Sequence, residues 1–102
     1  MRQVIEGLIY DTEKAEKIGY SSYSNSGDFR HYEETLYKTK NGNFFIAGGG
    51  GPMSSWGKPA GNNEIHGSTG IIALSEEEAI QWCEEHEIDA DDIEEHFEVK
   101  EA

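Results

Sequence analysis

Cys83 and His86 stand three positions apart in the stretch SEEEAIQWCEEHE, and on a helix that spacing lets both project from one face. Thiolate and imidazole are good zinc ligands, so the pair is a candidate metal site. Two ligands are not a site, and His31, His66 or His96 would have to complete a set of four. Nothing in their spacing requires it. A Cys-His nucleophile is a further reading, but no accompanying signature or orienting group is evident. The plainer alternative puts both residues on the packing side of an amphipathic helix.

A second polar cluster, Asp28, Arg30, His31, Glu33 and Glu34, would make His31 a general base oriented by a carboxylate. Against this stands a loop entering a strand with local ion pairs. Gly48 to Gly51 are four consecutive glycines, but a phosphate-cradling loop needs a Gly-Lys-Ser/Thr ending and a helix directly after it. Neither follows. The chain is therefore expected to be non-enzymatic and to use no cofactor.

Charge is the more informative feature. Ser75 to Ala102 hold thirteen acidic residues against one lysine, whereas Met1 to Leu74 hold eight against seven Lys and Arg. Nearly all of the net −13 therefore sits in the last quarter. Ser75 with Glu78 forms a capping-box pattern, and Glu76 and Glu77 add negative charge where the helix dipole is positive. These signals predict a helix over Glu76 to Glu87.

On a helical wheel Ala79, Ile80, Trp82, Cys83 and His86 share one arc, and Glu77, Gln81, Glu84 and Glu85 the opposite one. Asp89 caps a second short helix, with Ala90, Ile93 and Phe97 inward and Asp91, Asp92, Glu94 and Glu95 outward. Glutamate-rich helices often serve only solubility. Yet like charges at i,i+4 each repel by roughly 0.2–0.5 kcal/mol, a cost that a docking surface for a basic partner would offset. Such a surface is predicted at Glu77, Glu84, Glu85, Asp91, Asp92, Glu94 and Glu95, with Trp56 supplying apolar contact.

The remaining chain must position this region. Gln3 to Tyr10 reads as a first strand, with Gly7 marking a bulge or close approach. Asp11 or Thr12 caps a short helix in DTEKAEKIG, stopped by Gly19, and Tyr20 to Asp28 reads as a loop. Glu33 to Lys40 and Asn43 to Ala47 form a hairpin through a two-residue turn at Asn41-Gly42. Gly48 to Gly70 reads as a long loop, and Ile71 to Leu74 as a last strand. The expected class is α+β: a small antiparallel sheet of about four strands, in the order β-α-β-β-β-α-α, with helices packed on one face.

A chain of 102 residues suits one domain, 1–102, with an acidic helical region at 75–99. Its one cysteine excludes an internal disulfide and fits a reducing cytoplasm. No signal peptide or membrane span is evident in the opening residues. The acidity argues against direct binding to nucleic acid or anionic lipid, where lysine and arginine supply affinity. Monomer and dimer both remain open.

Asp11, Glu13 and Ala15, the run RHYEETLYKTKNGNFFIAGGGGPMS from Arg30 to Ser54, and LSEEEAIQWCEEH from Leu74 to His86 together resemble a family of small acidic proteins of mobile elements and prophages in Gram-positive bacteria. The resemblance covers about two thirds of the chain and carries no catalytic motif. Some proteins in that setting are anti-CRISPR inhibitors of RNA-guided nucleases. The resemblance thus implies an acidic inhibitor in the bacterial cytoplasm, acting by DNA mimicry on a basic nucleic-acid-binding protein, with a type II CRISPR effector nuclease as the specific expectation. The alternatives are a mobile-element accessory or regulatory protein, or a small zinc-binding protein using Cys83 and His86.

Overall fold

A computed structural model describes all of residues 1–102. Eight strands, β1 (Arg2–Ile5), β2 (Leu8–Asp11), β3 (Glu16–Tyr23), β4 (Tyr32–Lys38), β5 (Phe44–Gly50), β6 (Lys58–Pro59), β7 (Ile65–His66) and β8 (Ser68–Leu74), precede two helices, α1 (Glu76–Glu85) and α2 (Ala90–His96). The main sheet is antiparallel in the order β3-β4-β5-β8, and β1-β2 and β6-β7 are separate ribbons. The α+β class with helices on one face of a four-stranded sheet is thus the observed architecture.

Alternation along the strands divides the core between the two sheet faces. On the helix side Ile18, Leu36, Phe44 and Ile46 meet Ala79, Trp82 and Cys83 of α1, together with Phe97 and Trp56. On the other side Tyr10 of the β1-β2 ribbon joins Tyr37, Phe45, Ala47 and Ile71. There Tyr10 meets Phe45 edge-on with ring centroids 5.3 Å apart, while Tyr37 stacks on the same ring at 5.0 Å.

The N-terminal third departs from expectation. Gln3 to Tyr10 is two strands, because Glu6 and Gly7 both take positive φ (50° and 81°), the backbone of a tight turn whose twist matches a hairpin. Gly7 is therefore a turn residue. The helix expected in DTEKAEKIG is absent. Asp11 does accept the Glu13 amide at 2.9 Å, but the turn ends there and Glu16 opens β3.

Burial overrides the helical propensity of Glu, Lys and Ala in this segment. As a strand it sends Ile18 into the helix-side core and pairs with β4 through a bulge between Lys17 and Gly19. Gly19 is no helix stop. A Cβ there would lie 2.8 Å from Ile88 Cδ1, so its bare backbone admits the α1–α2 connection onto β3. Tyr20 to Tyr23, expected in a loop, complete that strand.

The β4-β5 hairpin is present, with Leu36 opposite Ile46 and Tyr37 opposite Phe45. Its connection is longer than the expected two-residue turn. The Thr39 amide bonds the Asn43 carbonyl at 2.8 Å, and only Gly42 takes positive φ (83°), which is a three-residue loop with glycine in the left-handed position.

The glycine run is the larger correction. Gly48, Gly49 and Gly50 are the second half of β5, paired with Glu34, Glu33 and Tyr32 on one side and with Gly70, Thr69 and Ser68 on the other. A phosphate loop is excluded at those positions because their backbone groups serve the ladder. The true connection runs from 51 to 67 and carries the β6-β7 ribbon.

Candidate partner-docking face

Helix α1 begins as its sequence dictates. The Glu78 amide donates to Ser75 Oγ at 3.1 Å, and the Ser75 amide donates to Glu78 Oε1 at 2.9 Å. Its far end closes with Glu87 at φ 53°, the Ile88 amide on the Cys83 carbonyl at 3.0 Å and the Glu87 amide on that of Glu84. This is the paired closure normally built around glycine. Asp89 Oδ1 then accepts the Asp91 amide at 2.8 Å and starts α2, whose following residue Phe97 stacks on Phe44 with centroids 4.9 Å apart.

These caps and inward faces leave Glu77, Glu84, Glu85, Asp91, Asp92, Glu94 and Glu95 exposed. The ion pairs of Arg2 with Asp11 and Arg30 with Asp28 lie elsewhere, and no lysine or arginine neutralises a carboxylate between Glu76 and Glu98. A hollow of about 530 Å³ opens between the helices and the C-terminal tail, walled by Ile80, Ala90, Ile93 and Val99 and edged by Glu84, Glu94 and Glu101 together with Lys100. The face therefore combines an apolar floor with an anionic rim.

Trp56 does not belong to it. The ring is only 4 % exposed and packs on the helix side of the sheet, so the partner contact expected of it is withdrawn. Its place fell in what reads from sequence as a loop, yet the bare floor around Gly70, which a Cβ would bring 3.9 Å from the indole, and a buried acceptor draw it inward. That acceptor is Glu34, whose place in the sequence puts it in a polar cluster at the start of a strand and gives no sign of its burial. Its side chain receives Trp56 Nε1 on Oε2 at 2.7 Å and Trp82 Nε1 on Oε1 at 2.8 Å, and Glu34 is 6 % exposed.

Cys83 and His86 are not assembled as a metal site. Cys83 is fully buried in the helix-side core. His86 has Nδ1 2.9 Å from Ser21 Oγ and Nε2 3.9 Å from Glu34 Oε1, while its ring lies against Trp82 at 4.6 Å. The packing reading of this pair is the one the geometry matches. The Asp28–Glu34 cluster is likewise dispersed, since His31 Nδ1 lies 2.6 Å from the Asp28 main-chain oxygen, so no carboxylate orients it. The Asp28 carboxyl is held below its ordinary value chiefly by the Arg30 amide.

Burial pushes the Cys83 thiol up to about 11, with Glu84 adding to the shift. In the unfolded chain it ionises near its ordinary value of 9.0, so between those pH values the folded state holds a proton that the unfolded state has lost. Stability must then fall as pH rises through this window. Urea unfolding of wild type and Cys83→Ala at pH 8 and 10.5 measures it, and the variant is expected to show the shallower loss. Native Cys83 is also expected to resist a thiol reagent until the chain unfolds.

The largest hollow, about 730 Å³, includes Tyr20, Ser22, Glu33, Gly49 and Thr69 in its lining. Cross-strand pairing puts the last four on the sheet face away from the helices. No lysine or arginine is among its lining residues, which include Met1 and His31. No helix of the chain is long and apolar enough to cross a membrane. Compared with protein-family models, curated proteins and solved structures, the chain matches none.

Proposed function

We propose that the protein is a non-enzymatic inhibitor that docks the carboxylates of α1 and α2 on the basic groove of a nucleic-acid-handling protein, where phosphates would otherwise lie. The observation that carries this reading is the unneutralised run of exposed acids between Glu76 and Glu98. Carboxylates that make no ion pair with a lysine or arginine of their own chain keep their field available for an external partner, and the single Lys100 beside the hollow is outnumbered by the acids around it. The apolar floor of Ile80, Ile93 and Val99 takes the anchoring role first assigned to Trp56, because charged rims set rate and specificity more than affinity.

The specific partner in this proposal is a type II CRISPR effector nuclease in a bacterial cytoplasm, following the resemblance of the sequence to mobile-element proteins. Such nucleases hold a heteroduplex in a positively charged channel, and an acidic helical face lodged there blocks target DNA.

The test is competition for DNA binding against a panel of these nucleases, with wild type and a Glu84→Lys/Asp91→Lys/Asp92→Lys/Glu94→Lys variant. Steering contributes about 10- to 10³-fold to association rates, so the reversed variant is expected to bind at least about tenfold more slowly. Wild-type binding should weaken as salt rises. Unchanged DNA binding across the panel removes the nuclease assignment. Undiminished inhibition by a folded charge-reversed variant removes the docking mechanism.

A further inference from the structure

Glu16, Glu95 and His96 bring one ligand atom each to within 4.8 Å of one another, the one group of three or more His, Cys, Asp or Glu side chains so arranged. Two come from the end of α2 and the third from the start of β3, so the cluster lies across a junction between helix and sheet. We propose that these residues bind a divalent transition-metal ion, Zn²⁺ being the fitting choice, and that the ion fastens α2 to the sheet. This proposal does not depend on the docking reading.

The imidazole is the group that points to a ligand. The His96 side chain is 7 % exposed, and its Nε2 lies 3.8 Å from Glu16 Oε1. That separation is beyond a hydrogen bond of about 2.7–3.2 Å, and neither ring nitrogen has another partner among the side-chain hydrogen bonds; as no buried side-chain nitrogen of the chain is left unpartnered, the ring is open to an ion or to water. Donors bound tetrahedrally at about 2.0–2.2 Å from zinc lie roughly 3.3–3.6 Å from each other. A closure of a few tenths of an ångström by the exposed side chain of Glu16 brings it and His96 to that spacing, and Glu95, whose donor atom lies within 4.8 Å of the others, has up to about 1.2 Å to close.

Glu95 is also exposed, and its carboxylate can turn without disturbing the fold. An imidazole with two carboxylates suits zinc better than magnesium or calcium, which favour all-oxygen sets. Water would complete the tetrahedron, as in other three-ligand sites. The attachment also meets a structural need. Helix α2 has seven residues and none of them is fully buried, so Ile93 and the adjoining Phe97 carry most of its apolar contact with the core.

The test titrates Zn²⁺, with Mg²⁺ as the control cation, into the full chain at pH 7.5, by calorimetry and by thermal unfolding. At 100 times Kd, Zn²⁺ is expected to raise Tm by roughly 10 °C, and Mg²⁺ not at all. Glu16→Gln, at an exposed position, is expected to weaken Zn²⁺ binding at least tenfold. Glu64→Gln, which alters the separate His66–Glu64 pair, should leave it unchanged.

Should His96→Asn fold poorly, Co²⁺ bound to the wild-type chain must shift the ring resonances of His96 by NMR. The proposal is overturned if Zn²⁺ produces no shift in Tm, if Glu16→Gln binds as wild type does, or if Co²⁺ leaves the His96 ring untouched.

Discussion

Replacing Glu34 by alanine is expected to remove about 2–6 kcal/mol of stability, because each of two buried indole N–H groups then loses its acceptor at about 1–3 kcal/mol. Both bonds are short, 2.7 and 2.8 Å, and they end on different oxygens of one carboxylate. Trp56 approaches from the long connection and Trp82 from α1, so this one side chain ties loop and helix to β4. Domains of this size have about 5–15 kcal/mol in all, so the loss takes a large share of the total and should lower the unfolding midpoint clearly. Circular dichroism during urea unfolding measures the loss without relying on the tryptophans themselves.

Glu34→Gln should fall between the two, since its carbonyl still accepts one indole while its amide nitrogen faces the other N–H as a second donor. A wild-type midpoint in Glu34→Ala would mean that the indoles reach water or another acceptor in solution. His86 is part of the same arrangement, with Nε2 3.9 Å from Glu34 Oε1. Its ring is packed between Trp82 and Tyr32 and its Nδ1 is held by Ser21, so loss of the carboxylate removes a neighbour of this ring without breaking a hydrogen bond to it.

Gly48→Ala is expected to cost about 3 kcal/mol, the upper part of the usual range for overpacking a close contact. A Cβ at this position runs into the main-chain carbonyl oxygen of Glu33 and approaches the Glu34 Cα at 3.0 Å. Both atoms belong to the backbone of the neighbouring strand, so no flexible side chain can swing aside. Relief requires β4 and β5 to separate, and Glu34, which anchors the tryptophans, sits at the point of collision. Thermal unfolding and amide exchange along β4 and β5 report the damage.

Gly61 provides the comparison. It has a φ of 84° with open space around it, so alanine there meets only the left-handed backbone penalty of about 1–2 kcal/mol. If Gly48→Ala were as stable as wild type, within the roughly 0.5 kcal/mol typical of surface positions, the glycines would not be strand residues under close approach. The contrast separates a glycine required by its neighbours from one required by its own dihedral angle.

Local rules carried far in the C-terminal quarter. Ser75 and Glu78 start α1 because both capping partners lie within one turn, and Asp89 starts α2 by the same short-range logic. The opposition of Ala79, Trp82 and Cys83 to the outward acids is equally contained in residue spacing, and so is the concentration of charge after Leu74. The hairpin of β4 and β5 was legible in its alternation, though its turn came out one residue longer because Gly42 alone takes the left-handed backbone.

Tertiary packing decided the rest. Glu16 to Tyr23 reads as the end of a helix followed by the start of a loop, and it became one strand because Ile18 gains burial and Gly19 makes room for Ile88, neither of which is visible locally. Gly48 to Gly50 have no side chains to alternate, so nothing in the residues themselves marked them as strand; the close approach of β4 did. Trp56 turned inward because Glu34, 22 residues away, offers the acceptor its indole needs, and a still longer separation in sequence hides Glu16 from His96. Short-range hydrogen bonds and periodicity are written in neighbouring residues, whereas a contact between residues far apart in the chain exists only once the sheet has brought them together.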